Sequence, residues 1–204
     1  MISVLGYAAA DVVPTWVLAL SALTLWGPYI GVLLWVSKRN GSGSFVQDFA
    51  LRFQVKDLWG IPLGMVSQLV LVVLVTLPFQ WMFPSLFNKE AVEKRANELF
   101  DAAQGAWIVL LVFVVVICAP LVEEIVYRGF IQHNLAVAYG ARISLLLASF
   151  WFAAVHLQLA EFPGLFAFAL VLGFCFSRTK RLGLSIVTHV SFNATALTVM
   201  ALTR

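Results

Sequence analysis

Cys118-Ala-Pro-Leu-Val-Glu-Glu-Ile-Val-Tyr-Arg-Gly-Phe130 follows directly on the apolar run Trp107 to Ile117, so one hydrocarbon-bound helix carries two adjacent carboxylates and an arginine. Each ionisable residue near a bilayer centre costs roughly 2.5–3.5 kcal/mol on insertion scales. Three of them within six residues are tolerable only where they face a protein interior or a wet cavity. Glu124 and Arg128 stand i, i+4 and can pair on one helix face. Glu123 lies about 100° round from Glu124, with Tyr127 one turn on. Pairing of Glu124 with Arg128 thus leaves Glu123 for chemistry, unless the whole set is a structural ion pair locking two helices.

The rest of the chain has the composition of a membrane protein. Of its 204 residues 62% are hydrophobic and 11% charged, and the mean hydropathy is +0.95. A soluble domain carries about 25% charged residues. The expected class is all-α: a polytopic membrane helical bundle of about six transmembrane helices with interfacial amphipathic helices. It forms a single membrane domain, 1–204. The formal charge of +3 comes from residues in loops and calls for no nucleic-acid partner. Cys118 and Cys175 lie inside apolar runs and read as small packing residues. No basic region precedes the first span, which therefore reads as a retained helix and not a signal peptide.

Working outward, the expected spans are 15–36, 61–83, 106–138, 142–159, 163–177 and 182–203. Gly27-Pro28 should kink the first, and 37–44 reads as a flexible linker. Phe45, Phe49 and Phe53 recur at i, i+4, i+8 and suggest a short interfacial helix. Asn88 can cap a second surface helix, 89–104, whose stripe of Val92, Ala96, Leu99, Phe100 and Ala103 opposes Glu90, Glu93, Lys94 and Asp101. With the N-terminus outside, the inner side holds Lys38, Arg39, Arg52, Lys56, Arg128, Arg142, Arg178, Lys180 and Arg181. The outer side holds Lys89, Lys94, Arg95 and Arg204. Nine against four follows the positive-inside tendency.

The chain has three histidines. Folding the third and fourth spans back at Tyr139-Gly140 puts Glu123, 16 residues before Tyr139, level with His156, 16 after Gly140. His189 lies about 12 Å into the last span, with Asn193 one turn on and facing the same way. His133, flanked by Gln132 and Asn134, reads as a wetted interface residue. Two histidines, an asparagine and a glutamate in one layer suit water-driven attack on a carbonyl. A glutamate in a low-dielectric cavity is a better proton acceptor. A neighbouring histidine can orient the water, and a further histidine and an amide can donate to the oxyanion. No serine or cysteine stands beside a histidine as a nucleophile, which argues against an acyl-enzyme.

These residues resemble a known family. Glu123-Glu124-Ile-Val-Tyr-Arg128-Gly is similar to the EExxxR motif of the CAAX-protease and bacteriocin-processing family, also called Abi. Phe152-Ala-Ala-Val-His156 resembles its FxxxH motif and His189-Val-Ser-Phe-Asn193 its HxxxN motif. All three come in the family's order over about residues 106–203, the expected catalytic core; the first two spans carry none. Tyr127 stands where the family often has Phe.

The resemblance implies the membrane core of a type II prenyl-protein endopeptidase, acting as an intramembrane glutamate peptidase. It implies Glu123 as general base, His156 as water activator, His189 and Asn193 as the oxyanion site, and Glu124 and Arg128 as supports. No cofactor is expected, in keeping with the lack of HExxH, and a zinc site from Glu123, His156 and His189 is the alternative. The expected partners are the lipid bilayer and a peptide or membrane-protein substrate, in a bacterial plasma membrane. The rival reading is a non-catalytic immunity or scaffold protein of the same fold.

Overall fold

The computed structural model describes residues 15–88 and 107–203. Among them there are helices and no strands. Helix α1 is Thr15–Asn40 and α2 is the single turn Phe45–Asp48. Helix α3, Val55–Met82, opens with a 3-10 turn at Val55–Trp59 and widens to π geometry at Ser67–Leu71. The next helical run, Trp107–Ala154, has 48 residues. At 1.5 Å per residue it would measure about 72 Å, more than twice a hydrocarbon core of ~30 Å. It does not run straight. Gly140 (φ 81°, ψ 167°) breaks it into α4 (107–139) and α5 (141–154). A positive φ of this kind suits a residue without Cβ, and Gly140 supplies it. Helices α6 (Phe162–Thr179) and α7 (Gly183–Thr203) complete the bundle.

Among the described residues five helical runs are long and apolar enough to cross a membrane, and the folded one supplies two arms. The chain is an all-α, multi-pass integral membrane protein. Large apolar side chains such as Trp59, Trp81, Val109 and Leu202 point outward, as a lipid-facing surface requires. Helix α5 stops at Ala154, short of the expected 159. A regular helix of 14 residues is too short to cross, and irregular backbone carries on through 155–161.

Other expectations change at the end of the bundle where the basic residues gather. Phe45, Phe49 and Phe53 do not share a continuous helix. Ala50 has φ 52° and ends it, leaving Phe49 buried against Phe130 and Phe53 exposed. Nor is 37–44 a loose tether. The hydroxyl of Ser37 and both the amide and hydroxyl of Ser42 donate to Asp48. Those hydrogen bonds, Ser37 foremost, hold the Asp48 carboxyl below its ordinary value. The segment then docks on the α6–α7 turn: the Leu182 and Gly183 amides donate to the Ala50 and Arg52 carbonyls, and Arg181 pairs with Asp57. Arg128 is not an inner-loop charge; it is buried in mid-bundle. The expected surface helix 89–104 lies outside the described residues.

Helix α7 is held closest to α3. Gly60 and Gly64 let the backbones approach, and the Ser191 hydroxyl donates to the Ile61 carbonyl at 2.7 Å. A Cβ on Gly64 would collide with the Thr188 carbonyl and lie 2.7 Å from the Ser191 Cβ. Because α7 carries His189 and Asn193, this seam fixes their depth. Gly64→Val should therefore lower thermal stability in detergent by about 1–3 kcal/mol of overpacking. An unchanged melting temperature would show that the seam is not close-packed.

Candidate active site

The motif stretch departs from ordinary α geometry on both sides of the glutamates. Phe113–Cys118 and Ile125–Gln132 are π-helical, and the short α-helical turn Ala119–Glu124 lies between them. Such wide turns insert a residue and re-aim the side chains that follow, which is why they gather at functional sites. Here they frame the residues with the highest cost of burial.

Glu124 and Arg128 are buried, 0% and 1% exposed. The Arg128 Nη1 donates to Glu124 Oε1 at 2.8 Å, and Nη2 donates to the Ala169 carbonyl of α6 at 3.1 Å. The guanidinium also lies 4.7 Å from the centroid of the Phe152 ring of α5. One cation thereby joins α4, α5 and α6. The i, i+4 pair expected from the sequence forms, with more partners than the spacing could indicate.

The same Glu124 oxygen meets His189 Nδ1 at 2.9 Å. A carboxylate only accepts, so Nδ1 carries the hydrogen. Nε2 of that ring lies 3.8 Å from Glu123 Oε2. His189 thus bridges the two glutamates, its ring held edge-on between Phe152 and Phe168. This bridge was not legible in the motifs, because nothing in either of them fixes the rotation of α7 against α4.

His156 sits just past the end of α5. Its Nδ1 is 2.7 Å from the Phe152 carbonyl, and a carbonyl can only accept. The proton is on Nδ1, and in the neutral ring Nε2 is left as an acceptor. The Phe152 ring stands 4.9 Å from the imidazole and 5.2 Å from Tyr127 across the hairpin. That contact shows α5 folded back along α4 in the equal-arm register.

Glu123 and His156 line one cavity of about 190 Å³, with Val122, Val126, Tyr127 and Val155. Its remaining wall is Leu25, Trp26 and Tyr29 of α1. Sequence reasoning missed these three residues. The Gly27-Pro28 pair among them was the available signal, read as a kink and not as a cavity wall. An apolar cavity of ~150 Å³ holds a benzene, so this one has room for a side chain of that size and a water.

His189 and Asn193 do not line that cavity. His189 is 3% exposed, behind the glutamates. Asn193 Nδ2 donates to the Val115 carbonyl at 2.8 Å. His133 is exposed, as expected of a wetted residue. Cys118 and Cys175 are free thiols among the described residues, and Cys175 is buried. As for metal, no three His, Cys, Asp or Glu side chains among the described residues gather closely enough to hold an ion. Glu123, His156 and His189 do not fit a three-ligand zinc site in this arrangement.

Residues 105–195 match the model of the type II CAAX prenyl endopeptidase Rce1-like family, a little under half of the chain. The match covers all three motifs and ends two residues beyond Asn193. Neither a curated protein nor a solved structure matches the chain. Over this segment the chain is similar to the type II CAAX prenyl endopeptidase Rce1-like family.

Proposed function

We propose that this protein is an intramembrane endopeptidase that hydrolyses a peptide bond with water activated by Glu123 and His156. The observation carrying the proposal is that these two acceptors, from opposite arms of the α4–α5 hairpin, face one cavity large enough for a water and a substrate side chain. A water has two hydrogens to give. One goes to the Glu123 carboxylate and the other to His156 Nε2, which turns an oxygen lone pair toward the substrate carbonyl. As the oxygen attacks, Glu123 takes the proton and the carbonyl electrons move onto oxygen. Collapse of that intermediate expels the amine, which takes the proton back from Glu123.

His189 and Asn193 are proposed as the donors to the oxyanion. With its Nδ1 hydrogen committed to Glu124, His189 can donate from Nε2 only as the imidazolium. Asn193 keeps a second amide hydrogen beyond the one given to Val115. Glu124 and Arg128 hold the set in place. The substrate is proposed to be a peptide or membrane-protein segment reaching the cavity from the bilayer of a bacterial plasma membrane, and no cofactor takes part.

The test is a pooled library of decapeptides incubated with the purified protein in detergent, before and after exhaustive chelation, with products read by mass spectrometry. Cleavage between internal residues that survives chelation is the expected result. Loss of cleavage restored specifically by zinc would make the histidines ligands, which must be neutral to bind metal, and would overturn the mechanism.

A further inference from the structure

The amide of Asn193 has a partner that explains a gap in the α4 backbone. At the end of the π stretch Phe113–Cys118 the Ala119 amide reaches back five residues and donates to the Val114 carbonyl. The next carbonyl in that ladder belongs to Val115. Its π-type donor would be the amide of residue 120, which is a proline and has none. Its α-type donor would be Ala119, already spent on Val114. Neither in-helix donor is left for this carbonyl. Asn193 Nδ2, arriving from α7, donates to it at 2.8 Å. In hydrocarbon, where water cannot satisfy a freed carbonyl, a neighbouring helix has to.

We infer that Asn193 is a positioning residue: its side-chain amide replaces the hydrogen that Pro120 lacks and so fixes the change from π to α register that precedes Glu123. Glu123 comes three residues after Pro120, in the α-helical turn Ala119–Glu124 that follows the π stretch. A slack Val115 carbonyl would let α4 slip between π and α registers there. Moving by one residue turns a side chain by about 100°, which would swing Glu123 out of the cavity it shares with His156. The rate part of this inference rests on the peptidase reading; the backbone part does not. Asn193 can hold this junction with one hydrogen and still offer the other to an oxyanion, and the two roles separate by what rescues them.

The experiment is a double-mutant cycle between positions 120 and 193 in detergent-solubilised protein. Asn193→Ala alone should lower the melting temperature by several degrees and cut single-turnover cleavage about 10²-fold, as expected for a misplaced group. In the Pro120→Ala background residue 120 regains an amide that can reach Val115. There the added Asn193→Ala change should cost little stability, and the part of the rate lost with the position of Glu123 should return, leaving the deficit of a missing oxyanion donor. Equal losses of melting temperature in both backgrounds would overturn the inference. Stability rescued without rate would confine Asn193 to holding the backbone and overturn its positioning of Glu123.

Should Pro120→Ala not fold, Asn193→Asp decides. That change keeps the shape but sets an acceptor against the carbonyl, and amide hydrogen exchange should rise across 113–124 in particular. Unchanged exchange there would overturn the inference. Failure of the peptidase reading is seen separately, as cleavage that persists in Glu123→Gln or is absent from the wild type; the melting temperatures and exchange still decide the backbone assignment.

Discussion

Glu123→Gln is expected to bring peptide cleavage to the detection limit while the protein remains folded and inserted. The substitution keeps the volume and the hydrogen-bonding reach of the side chain but removes its ability to take a proton. A positioned general base supplies about 10²–10⁴-fold. Here the same group also aligns the water, so the loss should lie at the upper end. Glu123 is 24% exposed at the side chain, and it lines the cavity without carrying the buried Arg128 pair. Its replacement should therefore leave the melting temperature close to that of the wild type. The measurement is single-turnover cleavage of one reporter peptide drawn from the library. Near wild-type rates in the purified variant would remove Glu123 as base and favour the immunity or scaffold reading.

Arg128→Ala should do the reverse and strike the fold first. It strips the cation from a carboxylate that is wholly buried and removes the side-chain donor to the Ala169 carbonyl of α6. Breaking a buried pair by removing one member typically costs 3–5 kcal/mol. The ring contact with Phe152 is lost with it, so α5 and α6 lose a tie to α4 at once. The expected outcome is a large drop in melting temperature in detergent, with failure to accumulate in the membrane as the extreme. Replacement of Glu124 and Arg128 together by Gln and Met should recover part of that loss, because no unpaired charge then stays buried. A melting temperature unchanged in Arg128→Ala would show that the pair is solvated.

Much of this arrangement was legible in the sequence because membrane burial leaves few ways to place a charge. Glu124 with Arg128, the glycine turn at 140 and the equal arms to Glu123 and His156 all follow from helical spacing and the cost of exposed polar groups. What spacing cannot give is rotation and tilt between helices distant in sequence. That is why the His189 bridge to Glu124 was not foreseen, nor the wall made by Trp26 and Tyr29. The failed interfacial helix has a different cause. Phe45, Phe49 and Phe53 have helical period, but Ser37 and Ser42 compete for Asp48, and the amides of the α6–α7 turn take the carbonyls of Ala50 and Arg52. Local periodicity lost to tertiary hydrogen bonds. The shared facing of His189 and Asn193 was visible in the sequence; the carbonyl orphaned by Pro120 needed the π register to be seen.

The fold-back at Gly140 turns the two arms of the hairpin into a ruler. Catalytic groups held on separate loops can drift apart by small insertions and be re-aimed by loop rearrangement. Here Glu123 and His156 are counted off from one point along two helical arms, one of them widened to π geometry at Ile125–Gln132 and the other ending just before His156. Deleting a single residue from either arm would lift one group by about 1.5 Å and turn it by about 100° relative to the other. The surface of the arms can change freely toward the lipid, as long as it stays apolar. Their length cannot, so the site should tolerate many substitutions and almost no insertion or deletion between 123 and 156.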